Sequence, residues 1–162
     1  MFSKLRSSKP IIYHFILFFS FSLSVNYFVD LKFIKYLAYV FFHLTLIYLV
    51  FYYFHFILFF ISFIYGIFFD IFLIDNISPH LISFLFFIFL FYFTRKYLFN
   101  FSSTQISFII IIIAFIMFIA EAIIANLLFN YSINIENLGW LFVTTIVIFF
   151  PFLILFSRID KF

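Results

Sequence analysis

The sequence has no cysteine, which excludes a disulfide framework, a thiolate metal centre and a cysteine nucleophile. It is nearly as poor in charge. Asp, Glu, Lys and Arg make up 9% of its 162 residues, whereas an ordinary soluble domain carries about a quarter. A soluble fold would have almost nothing to cover its surface with. The net charge of +3 is small and spread along the chain, which argues against a nucleic-acid interface. H-E-x-x-H, G-x-S-x-G and Walker-type loops are absent as well, and with them the commonest hydrolytic and nucleotide-binding chemistries. No loop is long enough to fold alone.

What fills the chain is hydrocarbon: 69% of residues are hydrophobic and 36 are Phe. The mean hydropathy is +1.33. These values describe an integral membrane protein. The excess of Phe, Ile, Tyr, Asn and Lys reflects AT-rich codons rather than a special role for Phe.

A bilayer core about 30 Å thick needs roughly 20 apolar residues per helix. The first span is 11–29, after the basic "KLRSSKP" and before "DLKFIK". Its apolar run is long for a signal peptide and no A-x-A-like cleavage site follows, so it is expected to stay as an anchor. Residues 36–74 are too long for one helix and predict two spans, 36–53 and 56–74, turning near "FYYFHF". Tyr52, Tyr53 and His55 would act there as interfacial anchors. "DNISPH" (75–80) is a clear break, because Asp, Asn, Ser and Pro favour turns. Further spans are predicted at 80–94, stopping at Arg95-Lys96, at 106–129 and at 138–156.

The predicted fold class is thus all-α: a single transmembrane domain, 1–162, of six helices with both termini on one side. With the N-terminus cytoplasmic, Lys4, Arg6, Lys9, Arg95, Lys96, Arg158 and Lys161 face inward, seven of the nine basic residues. Only Lys32 and Lys35 face out. Positive-inside asymmetry favours that arrangement over five spans. Asp30, Asp75 and Glu136 fall outside.

The informative residues are the polar ones at depth, since a carboxylate at a helix centre costs roughly 2.5–3.5 kcal/mol to insert. Asp70 lies five residues before Asp75, about 7 Å inside the outer boundary at 1.5 Å per residue. Ser62, Gly66 and Asp70 follow i, i+4, i+8 and share one helix face. Small residues at that spacing let a second helix approach closely, so the face reads as a packing or partner contact. Glu121 is the second buried acid, about 12 Å inside the outer end of its helix, with Ala114 and Ala125 on roughly its face. No Lys or Arg shares that depth. Burial disfavours the charged form, which leaves the protonation of both acids open.

The four histidines, His14, His43, His55 and His80, show no close ligand spacing, and no metal or cofactor is expected. Pro151 predicts a helix kink. "GIFFD" (66–70) matches the second half of the metal-binding motif of alcohol phosphotransferases. The first half is missing, and the next Asp is five residues on rather than four. Without a nucleophile–base pair, an enzyme is not expected.

With the spans placed, "GIFFDIFLIDNISPHLISFLFFIFLFYFTRKYLF" (66–99) resembles the MreD family of bacterial rod-shape-determining membrane proteins. Gly66, Asp70, His80 and Arg95-Lys96 match its Gly-x-x-x-Asp, its His-containing helix start and its basic cytoplasmic turn in order. Tyr48 and His55 fall where many members carry a Tyr-Trp pair and a Pro-His turn, with Leu49 and Phe54 replacing the usual Trp and Pro. "FFPFLILFSRID" (149–160) is similar to the family's last helix and basic tail.

The resemblance implies a non-enzymatic scaffold in the inner membrane. Its partners would be lipids, MreC, the actin-like MreB and the RodA-type glycosyltransferase with its transpeptidase, in lateral peptidoglycan synthesis. A homodimer is open, and nucleic acid is not a partner. The resemblance also implies a fold similar to the substrate-binding subunits of energy-coupling-factor (ECF) vitamin transporters, with room for an outward-facing pocket. The alternative function is such a subunit, with Asp70 and Glu121 as pocket acids.

Overall fold

The computed structural model describes residues 9–26, 31–74, 76–98 and 101–160. The far end of the first predicted span, the acids Asp30 and Asp75, and the basic residues Lys4, Arg6 and Lys161 lie outside them. So do the side chains of Lys9, Arg95 and Lys96. Among the described residues all regular structure is helical. The elements are α1 (Lys9–Ser24), α2 (Lys32–Tyr52), α3 (Ile57–Leu73), α4 (Pro79–Leu98), α5 (Ser103–Phe129) and α6 (Ile135–Ile159). By length and composition α2, α5 (from Gln105) and α6 are long and apolar enough to cross a membrane, while α1, α3 and the described part of α4 are shorter apolar helices.

The helix ends follow local chemistry. α2 stops at the "FYYFHF" stretch, and α3 begins at Ile57. α5 starts earlier than the apolar run implies, because Ser102 and Gln105 form a reciprocal capping box. That Ser-x-x-Gln signature was present in the polar "NFSSTQ" stretch. α6 likewise starts at Ile135 rather than 138, since the Asn134 side chain accepts from the Asn137 N–H at 3.1 Å. Asn130 ends α5 with φ 56°, a left-handed conformation that Asn tolerates better than most side chains. α4 continues through Arg95-Lys96 to Leu98, past the predicted stop, because the basic pair carries no turn-forming residue. α6 runs unbroken through Pro151.

α2 is the central element. Every residue from Phe42 to Val50 is buried, as expected of a stretch that is apolar on nearly every face. α1, α4, α5 and α6 all pack against it. Side-chain contacts give the directions. Tyr39 and Phe42 of α2 meet Phe69 and Tyr65 of α3, and Phe115 of α5 meets Phe142 of α6. α2 and α3 therefore run antiparallel.

One end of the bundle carries the α3–α4 and α5–α6 connections. At the other, the Asp160 carboxylate just after α6 accepts hydrogen bonds from Tyr13 of α1, Tyr48 of α2 and Tyr53. The start of α1 and the end of α6 thus lie together. Phe152 and Phe156 stack beside this cluster at 4.1 Å. Sequence reasoning passed over Asp160, which looked like part of a charged tail.

Candidate functional site

The polar residues collect at the opposite end, the one bearing the α3–α4 turn. Asp70 is fully buried in the last turn of α3. One carboxylate oxygen accepts from the backbone N–H of His80 and from the His80 ring Nδ1, both at 2.8 Å. The other accepts from the backbone N–H of Leu81 at 3.1 Å. Pro79, His80 and Leu81 are the first residues of α4, where N–H groups have no partner within the helix. Pro fits this first position, because its missing N–H is not needed there. Asp70 therefore caps α4 from the neighbouring helix, and the positive end of the helix dipole faces its charge. Ser78, which stands at the ordinary capping position, is left with its hydroxyl unpartnered.

Ser62 and Gly66 share the buried face of α3 with Asp70. A Cβ on Gly66 would sit 2.6 Å from the Leu81 Cα, so the absence of a side chain sets how closely α3 and α4 approach. The hydroxyl of Ser62 is buried without a partner.

From His80 the polar contacts continue inward. Its Nε2 lies 2.8 Å from the Tyr39 hydroxyl, and that hydroxyl lies 2.5 Å from Oε2 of Glu121 on α5. The other Glu121 oxygen is 2.9 Å from Nε2 of His43. The ring closes on α2, where His43 Nδ1 donates to the Tyr39 carbonyl at 2.8 Å. Both acids named from the sequence thus belong to one network, and its other members are Tyr39, His43 and His80. The sequence reading singled out His80 only through the family resemblance, missed Tyr39 and His43, and treated the histidines as scattered. Lys35, Tyr39 and His43 at i, i+4, i+8 on α2 were the available signal, a polar line along one face of an otherwise apolar helix.

A hydrogen count constrains the network. Five contacts (Asp70–His80, His80–Tyr39, Tyr39–Glu121, Glu121–His43 and His43 to the Tyr39 carbonyl) each hold one hydrogen. With both acids ionised and both imidazoles neutral, the side chains supply three: one from each His and one from Tyr39. Two further protons complete the set and cancel the two negative charges. A fully bonded network is therefore electrically neutral, wherever each proton sits along its bond. Neutrality matters here because an uncompensated buried charge is costly.

The network forms the floor of an open cavity of about 420 Å³. Tyr39, His80 and Glu121 lie at its base, and Lys35, Tyr36 and the α5–α6 loop line its upper wall. Ala122 and Ala125, following Glu121 on α5, leave the space unfilled. The wall is braced by the Tyr36 hydroxyl, which donates to Asn137 at 2.7 Å, and by that of Tyr131, which donates to the Ile74 carbonyl at 2.9 Å. His14 and His55 contribute to neither the network nor the cavity lining. Among the described residues, no group of three or more His and acidic side chains is arranged to hold a metal ion. Comparison with family models, with curated proteins and with solved structures gives no match.

Proposed function

We propose that the protein is a non-enzymatic membrane scaffold of the MreD kind, with six spans and both ends in the cytoplasm. It would serve the bacterial complex that builds lateral peptidoglycan. The observation carrying this reading is that three of the residues behind the resemblance, Gly66, Asp70 and His80, act as one clasp. Gly66 brings α3 against the Leu81 backbone, and Asp70 ties the same turn of α4 through His80. Motif residues that serve helix–helix assembly suit a protein that holds others in place. Lipid-facing aromatic surface on α5 and α6, including Phe108, Trp140 and Phe150, offers area for membrane partners such as MreC and the RodA-type polymerase. Depletion in the source bacterium tests the reading. Rods should widen and round as the protein is lost, and unchanged cell shape would overturn it.

The cavity favours a second reading, a substrate-binding membrane subunit of a transporter. A volume of about 420 Å³ falls in the range of small-molecule sites. Uptake of a small solute that stops on deletion, with normal cell shape, would select this reading.

A further inference from the structure

The cavity combines features that a packing defect lacks. Its floor holds an acid, an imidazole and a phenol in mutual contact, with Glu121 and His80 only 5% and 4% exposed. Its wall holds a cation, Lys35, on the same face of α2 as Tyr39 and one turn nearer the open end. One helical turn is about 5.4 Å. The Glu121 carboxyl at the bottom of the cavity and the Lys35 ammonium near its mouth are therefore separated along its axis. Between them the surface is apolar, with Phe118, Leu138 and Leu141 among the lining residues.

Glu121 also has unused capacity. Each carboxylate oxygen accepts more than one hydrogen bond, and each uses one here, to His43 and to Tyr39. A donor entering from the cavity would find acceptor positions beside those two contacts. Such a donor, if cationic, adds a positive charge to a network that is neutral with its two extra protons. Burial then favours loss of one proton to solvent, so that the charge at the cavity floor is kept.

We propose that the cavity binds a small zwitterion with an apolar body. Its ammonium seats on Glu121 and its carboxylate lies toward Lys35, and binding releases one proton from the network. The groups that face Glu121 and set this exchange are Tyr39 and His43 on α2, His80 on α4, and Asp70 on α3 behind His80. Lys35 is the cation of the cavity wall, and Lys32 and Glu136 lie beyond it in an adjoining surface recess. The proposal rests on the cavity being a binding site, as in the second reading above, and needs neither transport nor a partner.

Titration calorimetry on the purified full chain tests it with three probes: 6-aminohexanoate, hexylamine and hexanoate. Each is titrated in two buffers of different ionisation heat. The expected result is saturable binding of 6-aminohexanoate, roughly tenfold or more tighter than hexanoate. The buffer dependence of its heat should correspond to release of about one proton per ligand. Lys35→Met should reduce 6-aminohexanoate to the affinity of hexylamine, and Glu121→Gln should abolish the buffer dependence.

Ala125→Phe fills part of the cavity, so it should remove binding, and its unfolding midpoint, measured alongside, shows whether the fold is kept. It stands in for Glu121→Gln if that variant fails to fold. Three results would overturn the proposal: no saturable heat from either amine, hexanoate binding as tightly as 6-aminohexanoate, or binding that Ala125→Phe leaves intact. Hexanoate binding that Ala125→Phe blocks would reject the zwitterion while keeping the cavity as a site.

Discussion

The ring Nδ1 of His80 and the carboxylate of Asp70 meet at 2.8 Å across the α3–α4 turn, and the His80 backbone N–H reaches the same oxygen. Asp70 is thus a helix cap supplied by a neighbouring helix, as well as the first member of a network that ends at His43. Replacing it by Ala strands two backbone N–H groups and one ring N–H in a buried place. The expected cost is about 2–4 kcal/mol. Asp70→Asn keeps one acceptor oxygen and should lose less. Reversible unfolding in mixed micelles measures both variants, and an Ala variant as stable as the wild type would refute the capping role.

The two glycines should respond in opposite ways. Gly66→Ala puts a methyl 2.6 Å from the Leu81 Cα. A backbone atom cannot swing aside, so α3 and α4 must separate, at a cost of about 1–3 kcal/mol. Gly139 sits in α6, and a Cβ added there would meet nothing within 4 Å. Gly139→Ala should be neutral or should stabilise by up to about 1 kcal/mol through helix propensity. The same unfolding assay reads both, and equal effects would contradict the close approach at Gly66.

Tyr39 joins the two halves of the network, since its hydroxyl touches both His80 and Glu121. Tyr39→Phe and Glu121→Gln should therefore be non-additive. A double-mutant cycle is expected to show coupling of about 0.5–2 kcal/mol. Additive effects would mean that the two side chains are merely adjacent.

How much of this was legible in the sequence depended on how local the cause was. The break at 130–134 follows from polar residues at the turn itself and was read as the wider loop 130–137, whereas the break at 53–56 was inferred from the length of the apolar run. The start of α5 was readable too, through Ser102 and Gln105, but apolar runs outweighed the capping pair. Asp70 and Glu121 stood out because a carboxylate among apolar residues is costly. Their partners did not, because His43 and Glu121 are 78 positions apart and only the packing of α2 against α5 joins them. Asp160 hid for the same reason. Its partners Tyr13, Tyr48 and Tyr53 are ordinary aromatic residues until three helix ends converge.

Absence of cysteine makes the orientation testable with single introduced thiols. Ser132 is exposed in the α5–α6 loop at the cavity end, and Ser157 is exposed near the end of α6. In intact cells stripped of any outer barrier, a membrane-impermeant maleimide should label Ser132→Cys and spare Ser157→Cys until the membrane is broken. Labelling of both, or of Ser157→Cys alone, would reject the proposed topology.

Under the proposed function, this chain holds cell-wall synthesis proteins together within the membrane. That role is tested most directly by affinity purification of the tagged wild type from gently solubilised membranes at native abundance, alongside Gly66→Ala. A peptidoglycan polymerase and its transpeptidase should travel with the wild type, and Gly66→Ala should lose them in proportion to its loss of stability. Recovery of the wild-type chain with lipid alone would contradict it.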